Sequence, residues 1–434
     1  MKKNSLGYYV FLIFIFSLSG QILFTSCKKD DDIEVEEEEE QIVNENNEAF
    51  SGLMKEWYYW YDQLPDVDPN DFDSPYELME EFRYLPLDRW SYVTTRQEFE
   101  AYYRDSKMIG YGFGSMWDQT GRLRITFIFN STDLYEQGVR RSWIIEEING
   151  TRIRVGVSIN QLLGANEIGV SNDFVFIDPE GNEVGMTVSK QEVIMNTVLH
   201  KEVFETGNSK TGYLVFKNFT TPSFDELEEA LEFFNSEGID ELILDLRYNG
   251  GGATSVANYL ASLIGGQRVA GEPFAKYLYN DNKEDENFTD TFDPPQASLD
   301  INRLITIATR GTASASEMVI NGLRPFMDVY IIGGDTYGKP MGMNAWYYNS
   351  YAFVPVTFKI ANADDFGDYF DGLEADAFAA DDITRLFGDP EEASLKEALN
   401  FIETGTFSGQ LKTKSLVVQP WEQMTGLRRE IGAH

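Results

Sequence analysis

The spacing of apolar side chains divides the chain into stretches with different predicted structures. Between residues 49 and 106, aromatic and apolar positions such as Leu53 and Trp57 recur at helical spacing, and Ser74 before Pro75 has the form of a helix N-cap. Residues 107–195 instead alternate short apolar runs with glycine and asparagine turns. The pattern therefore predicts an N-terminal helical domain followed by a β-rich domain.

Residues 196–412 alternate apolar runs of strand length with amphipathic segments of helix length. Ser223 and Glu226 have the spacing of a capping box at one of these helices. Alternation of strands and helices is typical of a mainly parallel α/β core. In chain order, strands are predicted at 212–216, 242–246, 304–308 and 329–332, and helices at 223–236, 255–263 and 317–323. Residues 413–434 show no clear pattern and are predicted to form a C-terminal tail.

The first residues have the character of a targeting segment rather than of a folded domain. Lys2 and Lys3 precede a short apolar run, and the single cysteine, Cys27, follows two small residues. This resembles a bacterial lipoprotein signal, which implies that residues 1–27 form a signal peptide ending at a lipidated Cys27. An ordinary signal peptide with an incidental cysteine is the alternative.

The sequence predicts that residues 28–48 form an acidic, disordered tether, because eleven acidic and no basic side chains lie between Asp30 and Glu48. Lysines followed by acids directly after the cysteine also resemble signals that sort some lipoproteins to the cell surface; a plain solvated spacer is the alternative. We therefore expect a protein of the bacterial cell envelope, lipid-anchored to the outer membrane, either periplasmic or surface-exposed.

Composition excludes several function classes. The 434 residues contain 72 acidic and 35 basic side chains, a net charge of −37, which repels nucleic acid. Two histidines, His200 and His434, cannot form an HExxH zinc site, and one cysteine cannot form a disulfide framework. Acidic clusters at 281–290 and 364–371 do not fit EF-hand spacing, so solvated loops are expected there. We predict no metal and no cofactor.

Three motifs carry candidate chemistry. Residues 245–252 read DLRYNGGG, and three glycines after a buried strand let backbone N–H groups approach another group; a tight turn is the alternative. Residues 311–317 read GTASASE, where a serine before a helix is either a nucleophile or an N-cap. Residues 333–339 fit GxxxxGK, but Pro340 and strand-like residues follow, which disfavours a P-loop. A neutral lysine can activate a serine, so a Ser-Lys dyad suits a chain with few histidines.

In this order the three motifs resemble those of the carboxyl-terminal processing proteases, also called tail-specific serine proteases. The resemblance covers roughly residues 50–410. It implies a serine protease core at 196–412 with an α/β crotonase-like (ClpP/crotonase-type) ββα spiral topology. It also implies a lipid-anchored serine endopeptidase that cleaves polypeptides recognised near their exposed C-termini.

Family positions carry over onto individual residues. The resemblance implies that Ser314 is the nucleophile and Lys339 the general base. It further implies an oxyanion hole made by the N–H groups of Ala315 and of Gly251 or its neighbour Gly250. Glu317 and Thr336 match supporting positions.

The β-rich stretch resembles a PDZ domain. The loop Gly110–Gly114 and the stretch 138–150 carry the resemblance, which departs from the usual pattern at Ser142-Trp143. It implies that the loop residues bind a peptide carboxylate while an edge strand pairs with the peptide. The peptide-binding residues implied are Tyr111, Gly112, Phe113 and Gly114. A small β-barrel without a ligand is the alternative.

Two departures from the protease pattern motivate a second function. Met343 stands where the family often has glutamine, and Pro325 where it commonly has aspartate. The alternative function is therefore a catalytically impaired, peptide-binding surface lipoprotein. The SxxK spacing of penicillin-binding enzymes is absent around Ser314. The sequence carries no signal for an oligomeric state.

Overall fold

A computed structural model describes residues 30–85, 87–207, 209–294, 298–299, 301–409 and 418–434. The predicted signal peptide and the lipidation of Cys27 lie outside the described residues. Within the described part of the chain, none of the helices combines the length and the apolar character needed to cross a bilayer.

The helices begin and end near the predicted positions in the core. They are α1 (Asp30–Trp57), α2 (Pro75–Phe82), α3 (Arg96–Tyr103), α4 (Asp133–Glu136), α5 (Ile159–Leu163), α6 (Ser223–Glu237), α7 (Thr254–Gly265), α8 (Ala315–Leu323), α9 (Ala393–Thr404) and α10 (Gly426–Ile431). Short 3-10 helices span Tyr61–Gln63, Pro69–Asp71, Gly266–Arg268, Asp281–Glu286 and Pro420–Gln423. The predicted N-cap at α2 is confirmed, since the Ser74 hydroxyl accepts the Glu77 N–H.

The strands fall into several sheets. They are β1 (Tyr92–Thr95), β2 (Lys107–Gly110), β3 (Phe113–Trp117), β4 (Leu123–Ile128), β5 (Ile144–Ile148), β6 (Thr151–Arg152), β7 (Ser171–Ile177), β8 (Glu183–Ser189), β9 (Gln191–Ile194), β10 (Val198–Thr206), β11 (Ser209–Phe216), β12 (Glu241–Asp245), β13 (Pro273–Tyr279), β14 (Phe288–Thr291), β15 (Arg303–Ala308), β16 (Asp328–Gly333), β17 (Met341–Met343), β18 (Trp346–Tyr348), β19 (Tyr351–Val354), β20 (Val356–Ala361) and β21 (Ala377–Phe378).

The central sheet has the order β10-β11-β12-β15-β16-β21. Its pairs from β11 to β21 are parallel and only β10–β11 is antiparallel, so the predicted mainly parallel core is confirmed. Side chains alternate between the two faces of a strand. Accordingly, Leu242 and Leu244 pack among α6, α7 and α8, while Ile243 packs against α9 on the other face.

Smaller sheets surround this core. Strands β3 to β8 form one antiparallel sheet with its own buried cluster. Strands β14, β13, β20 and β17 form a second, and β2 pairs with β9. Strand β1, in a stretch predicted as helical, pairs with β19 and brings the N-terminal residues against the later part of the chain.

Two segments differ from their predicted character. Residues 30–48, predicted as a disordered tether, belong to helix α1. Glutamate is a good helix former, and the helix is anchored where Phe50 and Met54 are fully buried. Residues 418–434 of the predicted tail are packed, with Leu427 and Ile431 of α10 in a buried cluster. Contacts this distant in sequence leave no local pattern.

The predicted capping box at α6 is wrong. Pro222 occupies the N-cap position, and the Ser223 hydroxyl donates to Asn218 O instead. The Glu226 carboxylate accepts the N–H groups of Thr197 and Val198, so a distant loop takes the acceptor that the local motif would use.

Candidate active site

The three motifs meet at the carboxyl edge of the central sheet, because each follows a parallel strand: β12, β15 and β16. Hydrogen bonds join the three loops. The Thr312 hydroxyl donates to Leu246 O at 2.8 Å, and the Tyr337 N–H donates to Thr312 O at 2.9 Å. Carboxyl ends of adjacent parallel strands are a common location for binding sites in open α/β sheets.

Ser314 stands at a strained turn directly before α8. Its backbone has φ 56° and ψ −117°, a conformation that a non-glycine residue adopts rarely. Such strain costs about 1–3 kcal/mol and persists where surrounding contacts impose it. Gly251 presses against this turn, since a Cβ there would lie 2.8 Å from Ser314 Cβ. The turn leaves the Ser314 side chain only half-buried at the mouth of a cavity.

Glu317 connects the serine turn to the lysine loop. Its carboxylate is fully buried and accepts four hydrogen bonds: from the N–H groups of Ser314 at 2.9 Å, Gly338 at 2.7 Å and Lys339 at 2.8 Å, and from the Thr336 hydroxyl at 2.5 Å. Burial raises the pKa of Glu317, although these hydrogen bonds oppose the rise. One side chain thus fixes the backbone on both sides of the predicted dyad.

Lys339 is buried, with 4% of its surface exposed. Its ammonium lies 3.5 Å from the carboxylate of Glu430, and both residues line a cavity of about 420 Å³ that also contains Ser314. Among the described residues, no hydrogen bond joins Ser314 Oγ to Lys339 Nζ. The structure therefore brings the two predicted residues to one cavity but pairs the lysine with an acid that sequence reasoning missed.

The predicted oxyanion donors differ in availability. The Ala315 N–H, at the start of α8, donates to no acceptor within the described part of the chain. The Gly251 N–H, in contrast, donates to Asn249 Oδ1 at 2.9 Å. A second donor therefore requires either the neighbouring Gly250 or a release of Gly251 from Asn249.

One of the two departures from the family pattern, Met343, is near the site. Met343 and Asn344 line the cavity with Ser314 and Lys339. The Asn344 side-chain amide donates to the Tyr279 hydroxyl at 3.2 Å. Strand β17 follows Pro340 directly, which agrees with the sequence argument against a P-loop.

A buried charge cluster supports the glycine motif. Arg247 is fully buried and pairs with Asp245 at 2.8 Å, Asp381 at 2.9 Å and Glu392 at 2.9 Å. Although burial opposes ionisation, Arg141 and Arg247 hold the pKa of Asp381 below its ordinary value. Because Arg247 lies three residues before Gly250, the cluster fixes the position at which the glycine loop leaves the sheet.

The predicted peptide loop is occupied by residues of the same chain. The N–H groups of Tyr111 and Gly112 both donate to His434 O at 2.8 Å, and the His434 N–H donates to Phe113 O at 2.8 Å. Gly114 follows in strand β3. Neither His434 nor Glu430 was predicted as functional; the i, i+4 spacing of Leu427 and Ile431 is the one local signal that α10 would pack.

Other sequence candidates lie apart from the site. His200, on β10, contacts Glu202 at 3.0 Å and is not part of the lining of the cavity that contains Ser314. Among the described residues, no group of three or more histidine, cysteine, aspartate and glutamate side chains is arranged to hold a metal ion.

Two segments of the chain match models of known protein families. Residues 210–376 match the model of peptidase family S41, and residues 45–92 match the peptidase S41 N-terminal domain. A carboxyl-terminal-processing protease of Synechocystis sp. is 26% identical over 171 residues, 39% of this chain and 38% of that protein. A CtpA-like serine protease of Staphylococcus saprophyticus is 20% identical over 256 residues, 58% of this chain and 49% of that protein. The chain thus spans about half or less of these relatives' length.

A solved structure shares the fold. An S41 protease from Bacteroides fragilis matches with a TM-score of 0.69 and 23% identity, over 82% of this chain and 97% of the other. The mixed α/β sheets described above are therefore those of an S41 peptidase fold. The chain carries peptidase S41 family domains at residues 45–92 and 210–376.

Proposed function

We propose that this chain is a serine endopeptidase of the carboxyl-terminal processing type, with Ser314 as nucleophile and Lys339 as general base. The observation that carries the proposal is the Glu317 carboxylate, which holds the backbone N–H groups of both residues beside one cavity. Because a nucleophile and its base must be positioned within reach of each other, a shared anchor of this kind supports a dyad.

The reaction follows serine acyl transfer. Neutral Lys339 accepts the hydroxyl proton as Ser314 Oγ bonds to the scissile carbonyl carbon, and the Ala315 N–H stabilises the resulting oxyanion. When the carbon–nitrogen bond breaks, Lys339 returns the proton to the leaving amine. Water, deprotonated by Lys339, then attacks the acyl-enzyme, releases the new carboxyl end and regenerates Ser314.

Substrate recognition is proposed to use the β-sheet formed by β3 to β8 as a PDZ-like domain. Main-chain N–H groups at Tyr111 and Gly112 offer donors to a peptide carboxylate, and the edge of β3 offers pairing to an extended peptide. The substrates are polypeptides with exposed C-termini. We also propose three domains, with bounds at 49–106, 107–195 and 196–412. The third of these, the protease core, is proposed to have the crotonase-like spiral topology.

We further propose that the enzyme is held to the bacterial outer membrane by a lipid on Cys27. The single cysteine after a short apolar run supports this anchor. Metabolic labelling with a fatty-acid analogue tests it: label should enter the parent chain and be absent from Cys27→Ser.

Cleavage of an unfolded protein tests the proposed activity. Ser314→Ala and Lys339→Met should abolish cleavage, whereas Ser255→Ala, which alters a serine lining the same cavity, should not. Parent-like cleavage by Ser314→Ala would disprove the nucleophile. The peptide-binding alternative would be favoured if the parent chain, and the chain without residues 426–434, bind peptides but cleave none. The observation that supports this alternative is Met343 at the position where the family often has glutamine.

A further inference from the structure

Residues 426–434, hereafter the closing segment, lie across both halves of the proposed site. Helix α10 ends at Ile431, and the chain then reaches the start of β3, where the His434 N–H donates to Phe113 O. Strand β3 pairs with β4 on its other side, so this edge is where an added peptide strand would bind. The closing segment therefore occupies the position proposed for substrate.

The contacts at the peptide loop have the form of a ligand contact. His434 O accepts two N–H groups of the loop, from Tyr111 and Gly112, and approaches so closely that a Cβ on Gly110 would lie 2.8 Å from it. The His434 ring is buried, with Nε2 at 2.9 Å from Ser115 Oγ and its centroid 5.4 Å from that of Phe113. Main-chain pairing and a filled side-chain pocket are the two elements of strand-addition recognition.

The contacts at the dyad block the base. The Glu430 carboxylate lies 3.5 Å from Lys339 Nζ and accepts the Tyr103 hydroxyl at 2.6 Å. The Lys339 amine, engaged by Glu430 in an ion pair, is not available to the Ser314 hydroxyl as a base. The Glu430 backbone also covers the glycine loop, since a Cβ on Gly250 would lie 3.1 Å from Glu430 O.

A third contact holds the middle of the closing segment. Lys217 is buried and donates from Nζ to Ile431 O at 2.9 Å and to Asn218 Oδ1 at 2.8 Å. No carboxylate balances this ammonium in the hydrogen bonds it makes, and burial lowers the pKa of Lys217 to about 7. The hydrogen bond from Lys217 to Ile431 O therefore ties the closing segment to the residue that follows β11.

The geometry points to an intramolecular partner for the peptide groove: residues 426–434 bind as a pseudosubstrate along β3, cap Lys339 through Glu430, and must be displaced before a substrate peptide binds. This inference rests on the proposed function, because it takes Lys339 as the base and the 110–114 loop as the peptide site. In the closed state the enzyme has low activity, and a substrate competes with the segment for the groove.

Peptide binding tests the displacement without any need for catalysis. A fluorescent peptide of sequence Arg-Glu-Ile-Gly-Ala-His is titrated into Ser314→Ala chains with and without residues 426–434. When the segment occupies the groove, the apparent dissociation constant of the peptide equals its intrinsic value divided by the fraction of open molecules. Removal of the segment should therefore tighten peptide binding by about tenfold or more. Equal affinity of the two chains, or no binding by either, would overturn the inference.

A point variant covers the case in which the shortened chain fails to fold. Glu430→Gln keeps the size of the side chain but removes its charge, and should raise the rate at which a fluorophosphonate labels Ser314 by several-fold. Glu403→Gln, the same change at an exposed residue of α9, should leave that rate unchanged. A second full-length variant, Ala433→Arg, replaces a buried methyl group with a long side chain and should also displace the closing segment. If both Glu430→Gln and Ala433→Arg are labelled at the parent rate, the inference is overturned.

The two proposals fail in different ways. If opened chains bind the peptide more tightly but cleave nothing, the proposed peptidase function is wrong while the closing segment stands. If the parent and the shortened chain cleave an unfolded protein at the same rate, the peptidase function stands and the closing segment is wrong.

Discussion

Glu317→Gln tests whether Glu317 positions the backbone of Ser314 and Lys339 for catalysis or only contributes to the packing of the core. The amide has nearly the same volume as the carboxylate, but one of its two polar atoms donates rather than accepts. The wild-type carboxylate accepts Thr336 Oγ1 and Gly338 N on one oxygen, and Ser314 N and Lys339 N on the other. Whichever way the amide turns, its NH₂ group faces at least one buried N–H donor.

The expected magnitude follows from those contacts. An unpaired buried N–H costs about 1–3 kcal/mol, and hydrogen bonds to a charged group are each worth about 1.5–3 kcal/mol. We therefore expect Glu317→Gln to lower the free energy of unfolding by about 3 kcal/mol. We also expect kcat to fall by about 100-fold at a temperature where the variant remains folded, because a shift of about 1 Å in a reacting group has that effect.

Urea unfolding and cleavage kinetics measure the two effects separately. Glu397→Gln is the matched control, since Glu397 is also buried and accepts hydrogen bonds from Ser408 in a different part of the fold. The control should lose stability but keep kcat. If Glu317→Gln behaves like Glu397→Gln, losing stability with kcat unchanged, then Glu317 is a packing residue and the positioning argument is refuted.

The same substitution has a defined pH signature. Because the pKa of Glu317 is raised in the folded state, the folded chain binds more protons than the unfolded chain in the window above the ordinary value of 4.5. Ionisation of this group therefore lowers stability as pH rises through that window. Replacing Glu317 by glutamine should remove this slope from a stability–pH curve, and an unchanged slope would contradict the pKa direction.

Three further outcomes follow from the structure. Gly251→Ala should abolish labelling of Ser314 by a serine-directed probe, because φ is +105° and the new Cβ would lie 2.8 Å from Ser314 Cβ; parent-like labelling would contradict the close approach. Arg247→Met should lower the free energy of unfolding by about 3–5 kcal/mol in urea titration, since the buried Asp245 and Glu392 lose their cation and Asp381 keeps only Arg141. Burial, together with the nearby charges of Arg428 and Lys190, lowers the pKa of His434 to about 3. Between about pH 3 and pH 6.5, the released histidine therefore binds more protons than the buried one. Release of the closing segment should therefore rise by about 25-fold from pH 7 to pH 5 in binding assays with a histidine-free peptide, an increase that His434→Gln should lack.

The elements that could be predicted from the sequence are those set by local pattern. The alternation of buried strands and amphipathic helices between 212 and 332 predicts the parallel sheet, and the three motifs fall at strand ends because strand and loop chemistry are adjacent in sequence. Ser314 and Lys339 were predicted from the resemblance of these motifs to a protease family, and the structure brings both residues to one cavity.

The unpredicted features depend on distant contacts. Glu226 has the spacing of a capping residue, yet its carboxylate serves the N–H groups of Thr197 and Val198. The closing segment carries only two apolar residues at helical spacing, and its partners at 110–115 lie more than 300 positions earlier. Occupation of the Gly251 N–H by Asn249 likewise depends on a backbone turn with positive φ, which a run of three glycines permits but does not specify.

The most direct measurement for the central claim is the site of covalent modification by a fluorophosphonate. In a chain without residues 426–434, mass spectrometry should locate the adduct on Ser314, and Lys339→Met should abolish it while the exposed-lysine control Lys396→Met does not. An adduct on a different serine, or labelling of Ser314 that is independent of Lys339, would contradict the Ser314–Lys339 dyad.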